Sequence, residues 1–315
     1  AYRQFCEHFL APLALAARVD ERLLRLLRTH VDGIPLDLAA RLLPWHTRLR
    51  PGLFAHVHLH ARMQSRHADA GRKEGATPRA RVSEQGLQGI VASLESCVRA
   101  LAWTPPKSEW GDYYSDTSYS DGAFAAKREA VAAAIEAVGP ALVFDLGANT
   151  GELTRLASER GAVAVAFDVD PVAVERGYLA AAERGDERLL SLRLDLANPS
   201  PALGWAHEER VSLVERGPAD LVLALALVHH LAIGHNVPFD AIARYFARLG
   251  RALVVEFVPK DDVQVRRLLA TREDVFADYG REAFEGAFGG WFAIESATPI
   301  AGSGRVVYRM RRRGA

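Results

Sequence analysis

Two short stretches bring together residue types that do chemistry. The first is Asp145-Leu146-Gly147-Ala148-Asn149-Thr150-Gly151, a glycine-containing loop after the apolar run ALVFDL. Glycine lets a backbone turn sharply and approach a ligand that a Cβ would block. A loop that seats a pyrophosphate on a helix N-terminus reads G-x-G-x-x-G. This one reads D-x-G-x-x-x-G, and its leading acid repels phosphate while suiting a cationic, amino-acid-like group. Asp168 closes the next apolar run, AVAVAFD, where a carboxylate can accept both hydroxyls of a ribose. The plain alternative for all four positions is an ordinary strand–turn–helix with incidental acids. Asp195 closes LLSLRLD and can reach a base edge, cap a helix or face solvent. The second stretch is Val228-His229-His230-Leu231, after DLVLALAL. An imidazole there can take the proton of a reacting hydroxyl; otherwise it closes the strand or packs beneath a ligand. Of the pair, His230 is the favoured base. Glu256, in VVEFVP, either bonds an acceptor or caps a loop.

Such residues need a frame that brings strand ends together. After Pro140, apolar β-rich runs alternate with helical stretches that start at Gly151 and Pro171 and span roughly 205–215, 239–249 and 262–272. Near-continuous apolar strands are expected where helices cover both faces of a parallel sheet. WFAIESATPI and GRVVYRMRR read as two antiparallel strands at the end. The expected fold is α/β, a Rossmann-like doubly wound sheet, mostly parallel with a terminal antiparallel strand pair, plus a smaller N-terminal helical domain. Its expected boundaries are a helical region 1–102 (acceptor pocket or lid), an aromatic connector 103–120 and a ligand-binding domain 121–315. Ser83 and Asp121 are expected helix caps. Tyr113, Tyr114, Tyr119 and Lys127 precede the glycine loop. Aromatic faces attract cations, and this segment is either a lid over a bound ligand or a packed linker.

Composition excludes several classes. The chain of 315 residues is 49% hydrophobic and 25% charged, a globular balance rather than a disordered one. Its formal net charge of +0 gives no global field to recruit nucleic acid or an anionic membrane. Cys6 and Cys97 are too few for a disulfide framework or a zinc cluster, and a cytoplasmic location is expected. No apolar run approaches the roughly 18 residues of a membrane span. Phe9–Ala17 is interrupted by Pro12 and lacks the basic start of a signal peptide. Lysine occurs only at 73, 107, 127 and 260; the arginine bias suggests a GC-rich bacterial genome. His56, His58 and His60 alternate, but no third ligand or supporting shell marks a metal site, and none is expected. Asn198-Pro199-Ser200-Pro201 mimics the N-P-P loop of nucleic-acid amino-methylating enzymes, yet it follows the third strand rather than the fourth. Arg311-Arg312-Arg313 reads as a solvated tail.

Over residues 120–315 the chain resembles the class I S-adenosylmethionine-dependent methyltransferases. DLGANTG, the acid in AFDVD and the acid in LRLD carry the likeness, in the family's order. The family often has glycine where Asn149 stands, and asparagine tolerates the left-handed backbone that position needs. QFCEHFLAPLAL, DGIPLDLAARLLP, WGDYYSDTSYSD, LALVHHL and VVEFVPKDD resemble the nodulation-protein (NoeA-like) group. The resemblance implies S-adenosyl-L-methionine as methyl donor, held by Asp145, Gly147, Asn149, Gly151, Asp168, Asp195, Tyr119 and Lys127, and a small-molecule or glycan-like acceptor. O-methylation with a catalytic His230 or His229 is the expected chemistry. Methylation of an amine, peptide or RNA, or a non-catalytic binding module with a protein-binding helical domain, is the alternative.

Overall fold

The computed structural model describes residues 1–70, 82–106, 121–270 and 272–314. Tyr113, Tyr114 and Tyr119 lie outside them. The chain divides into two compact units, Ala1–Pro105 and Pro106–Ala315.

The first unit is helical, with its main helices at Ala11–Arg18, Leu36–Leu42, His60–Ala70 and Glu84–Arg99. Leu10, Leu15, Ile34, Leu36, Leu53 and Val57 form its apolar centre. Ser83 caps the last of these helices, its hydroxyl accepting from the Gly86 N–H at 3.2 Å. The alternating histidines are structural. The His56 ring bonds the hydroxyls of Tyr2 and Ser93 at 2.7 and 2.8 Å, and His58 bonds that of Thr47 at 2.9 Å. Burial lowers the pKa of all three, which favours neutral rings. Among the described residues no cluster of histidine, cysteine and carboxylate side chains could hold a metal ion.

The second unit is built on a seven-stranded sheet of order β3-β2-β1-β4-β5-β7-β6. The strands are β1 (Leu142–Leu146), β2 (Val163–Asp168), β3 (Leu189–Arg193), β4 (Ala219–Ala224), β5 (Gly250–Phe257), β6 (Phe292–Pro299) and β7 (Val306–Arg312). The first five run parallel, and β7 inserts antiparallel between β5 and β6. Alternate side chains feed opposite faces. Val143, Leu221, Leu223 and Val254 pack with the helix Asp121–Val138 on one side. Phe144, Leu146, Val222, Leu253 and Val255 pack with the helix Phe239–Leu249 on the other. The order reverses between β1 and β4, so a crevice opens there at the carboxyl ends of the strands.

Three elements differ from expectation. Residues 205–215 hold only a short turn at Trp205–His207 and an isolated bridge between Leu203 and Arg210. Gly204 and Ala206 take positive φ of 86° and 54°, which interrupts a helical backbone, while Leu213 still packs into the core. The β4 run stops at Ala224 instead of reaching Leu227, because Ala226 takes a left-handed φ of 49° that no strand can contain. A helix at Arg281–Trp291 was not foreseen; Phe284 and Phe288, one turn apart, bury its inner face. Among the described residues no helix is long and apolar enough to cross a membrane.

Candidate active site at the carboxyl ends of the strands

The glycine loop adopts an unusual backbone that its sequence permits. Gly147, Asn149 and Gly151 have φ of 73°, 52° and 77°. Two of the three are glycine and the third is asparagine, the residue types for which this region is least costly. The loop is clamped rather than loose. Asp168 Oδ2 accepts from the Asn149 N–H at 2.7 Å, while its Oδ1 accepts from the Asp170 N–H at 2.9 Å. A Cβ on Gly177, in the helix Pro171–Arg184, would lie 3.0 Å from the Thr150 carbonyl oxygen, so glycine there lets the helix approach the loop.

A cavity of about 350 Å³ opens beside this loop, within the range of small-molecule sites. Its walls come from successive strand ends: Asp145, Gly147 and Asn149 after β1, Asp168 and Val169 after β2, Asp195 and Leu196 after β3, and Ala226, Leu227 and His230 after β4. Phe124 and Lys127 reach it from the helix Asp121–Val138. Gly151 is buried and shapes the turn without lining the cavity.

The carboxylates differ in environment. Asp145 shares the face of Val143, two residues before it in β1, which turns it toward the helix that carries Lys127. It accepts from the Thr154 hydroxyl at 2.6 Å. Burial pushes its carboxyl up to about 7, opposed by the Thr154 bond and the nearby Lys127 charge. Burial also raises Asp168, against the backbone N–H groups that hold its ionised form. Asp195 accepts from the Ala197 N–H at 3.0 Å, fixing the turn that follows β3.

The two histidines are separated by function of place. Neither closes β4; both lie on the helical turn after it, and the His230 N–H donates to the Leu227 carbonyl at 2.9 Å. His230 faces the cavity. His229 is 1% exposed and does not line it, with its ring 4.2 Å from that of His230. Burial lowers His230 to about 4 and His229 well below the imidazole range. No residue pattern marks this difference, because exposure is a property of the fold.

Lys127 is not the open cofactor ligand the sequence suggests. Its Nζ pairs with Glu256 Oε2 at 2.7 Å, and both side chains are buried. Arg305 continues the network to Glu256 Oε1 at 3.5 Å and to Asp262 at 2.8 Å. Glu256 itself does not line the cavity, and its carboxylate is turned to Lys127 and Arg305. With Lys127 matched by Glu256 and His230 neutral, the cavity presents Asp145, Asp168 and Asp195, a negative wall that suits a cationic ligand.

The chain is 35% identical over 314 residues to Nodulation protein NoeA of Rhizobium meliloti (strain 1021), covering 99% of this chain and 66% of that protein. It thus spans a little under two thirds of that relative's length. No family model matches the sequence. Among solved structures it is similar to the magnesium protoporphyrin IX methyltransferase ChlM from Synechocystis PCC 6803 with bound SAH. The identity is 20%, over 64% of this chain and 92% of that one, at a TM-score of 0.45. It is also similar to the N-methyltransferase NodS from Bradyrhizobium japonicum WM9, at 12% identity over 61% of this chain and 97% of that one, TM-score 0.46. At such scores the strand order, and not the superposition, carries the fold. The chain is a homologue of nodulation protein NoeA, and its second unit has the class I methyltransferase fold.

Proposed function

We propose that the protein is an S-adenosyl-L-methionine-dependent methyltransferase that methylates an oxygen of a small-molecule or glycan-like acceptor. The observation that carries the reading is the cavity at the strand switch point, lined by one carboxylate from each of β1, β2 and the turn after β3. That set fits the donor: Asp145 suits its amino group, Asp168 its ribose hydroxyls and Asp195 its adenine edge.

S-adenosylmethionine supplies a methyl group already activated on a sulfonium, so the acceptor oxygen attacks in line without a metal. The chain's task is positioning, since reacting atoms must meet at about 3–3.5 Å and aligned. His230 is neutral at pH 7 and offers a ring nitrogen to the acceptor hydroxyl. A conjugate acid near 4 makes it a weak base in the free protein. Transfer removes the positive charge from sulfur as the proton reaches imidazole, so the cavity's net charge does not change. That exchange favours a proton on His230 at the moment of reaction. His229, set behind it, packs.

The test is mass spectrometry of cell extract incubated with the protein and deuteromethyl-labelled S-adenosylmethionine. A labelled product carrying the methyl on oxygen supports the proposal. A methylated amine, peptide or RNA would move the acceptor class, and binding without any acceptor would leave a cofactor-binding module.

A further inference from the structure

Ala226 lies two residues beyond the end of β4, outside the sheet register, and it takes a backbone conformation that alanine avoids. Its φ is 49°, a region where an L-residue's Cβ crowds the following carbonyl. The direction of the chain beyond it depends on that conformation. Leu227, next in sequence, lays its side chain against Gly147: a Cβ on that glycine would lie 3.1 Å from Leu227 Cδ1. The turn carrying His230 follows directly, closed by the His230 N–H on the Leu227 carbonyl. One left-handed residue therefore sets both the wall over the cofactor loop and the histidine facing the acceptor.

Something must hold it there, and the neighbouring strand does so. The parallel register pairs Ala224 with Val255, which puts Glu256 beside the exit of β4. Glu256 Oε2 accepts from the Ala226 N–H at 2.8 Å. The same oxygen meets Lys127 Nζ at 2.7 Å, and Oε1 meets Arg305 at 3.5 Å. Arg305 is fixed in turn by Asp262, with Nε to Oδ2 at 2.8 Å and a second bond at 3.0 Å. Asp262 caps the helix Val263–Leu269 through the Gln264 N–H at 2.8 Å. The Glu256 carboxylate is 0% exposed and engaged on both oxygens, so it has no face to offer a substrate.

We infer that Glu256 is a positioning residue that holds Ala226 in its left-handed conformation and so shapes the cofactor cavity through Leu227 and His230. The inference rests on the reading of the cavity as a methyl-donor site. An acid buried in an apolar strand is here a backbone clamp, oriented by two cations.

The experiment measures S-adenosylhomocysteine affinity by calorimetry, with circular dichroism to confirm folding. Glu256→Gln leaves one accepting oxygen for three donors, the Ala226 N–H, Lys127 and Arg305, so the clamp weakens and affinity is expected to fall by up to about tenfold, the factor by which alanine disfavours this conformation. Adding Ala226→Gly, which needs no clamp, should restore most of the affinity while the melting temperature stays low, because Lys127 and Arg305 remain poorly matched. Ala226→Val perturbs the same residue without touching the buried charges. It should weaken binding at least as much and lower the melting temperature, because a β-branched residue is strained at this φ, and it serves if Glu256→Gln does not fold. Unchanged affinity in both Glu256→Gln and Ala226→Val would overturn the inference, as would a Glu256→Gln defect that Ala226→Gly leaves in full. If wild-type protein does not bind S-adenosylhomocysteine at all, the donor-site reading fails first and this one with it.

Discussion

Asp145 makes the binding of a cationic ligand depend on pH in a calculable way. Its carboxyl titrates at about 7 in the free protein because burial disfavours the charge. A ligand ammonium group binds the ionised form, so the fraction ionised limits affinity below that value. The direction follows: affinity rises with pH toward about 7 and then levels off. With a pKa of about 7, the ionised fraction is about 0.1 at pH 6 and about 0.75 at pH 7.5, so affinity rises roughly eightfold, or about 1.2 kcal/mol. Calorimetry with S-adenosylhomocysteine in buffers of differing ionisation heat reads both the affinity and the protons released, about half a proton near pH 7. Asp168 is also raised by burial, so Asp145→Asn is the necessary comparison. It should bind more weakly above pH 7 and show a flatter profile with less proton release. A wild-type affinity that does not vary between pH 6 and 7.5, or an Asn variant with the same slope, would refute the assignment of Asp145 to the amino group.

Three further outcomes are expected. Asp168→Ala removes hydrogen bonds to a charged group, worth about 1.5–3 kcal/mol, and should weaken S-adenosylhomocysteine binding about 10- to 100-fold by calorimetry; wild-type affinity would place the site elsewhere. His230→Ala should lower single-turnover methyl transfer about 10²-fold or more with little change in cofactor affinity. The wild-type rate should be flat from about pH 6 to 8 and fall only toward the low value burial gives His230; a midpoint near the ordinary imidazole pKa would contradict its burial. A shortened chain starting near Trp103 should still bind S-adenosylhomocysteine, since every described residue lining the cavity belongs to the second unit; a folded chain that has lost binding would show that the first unit helps form the site.

The sheet was legible because its strands are apolar runs broken by glycine, proline and acids, and seven such runs become seven strands. The helix Phe239–Leu249 was legible too, from its apolar spacing. What the sequence hid is of two kinds. Backbone breaks at residues without a special side chain leave no mark, so Ala226 stood unremarked inside LALVHHL. Long-range partners leave none either: Lys127, Glu256 and Arg305 are far apart in the chain and meet only because β5 neighbours β4 and β7. The one available signal was a glutamate within VVEFV, since a charge inside a buried strand requires a partner. His230 is the favoured base on sequence, but its exposure to the cavity is not legible there; the turn they share sends its ring into the cavity and that of His229 behind it.

The acids at the strand ends have two duties each, and this decides how their substitution must be read. Asp168 holds the Asn149 and Asp170 N–H groups, Asp195 the Ala197 N–H, Asp145 the Thr154 hydroxyl and Glu256 the Ala226 N–H. These carboxylates thus hold the loops that shape the cavity, and Asp145, Asp168 and Asp195, which line it, also give it its charge. An alanine at any of these positions removes charge and support together, and a lost activity would say nothing about which mattered. The amides separate the two, since they keep one accepting oxygen and discard the charge. At Asp145, where one hydroxyl is the partner, asparagine should lose mainly the charge term. At Asp168, where each oxygen accepts a different backbone N–H, asparagine keeps only one clamp, so even the amide should disturb the loop. A larger binding loss for Asp168→Asn than for Asp145→Asn is therefore expected at pH 6, where the Asp145 charge is mostly absent already, and a reversal of that order would mean that the loop holds its shape without Asp168.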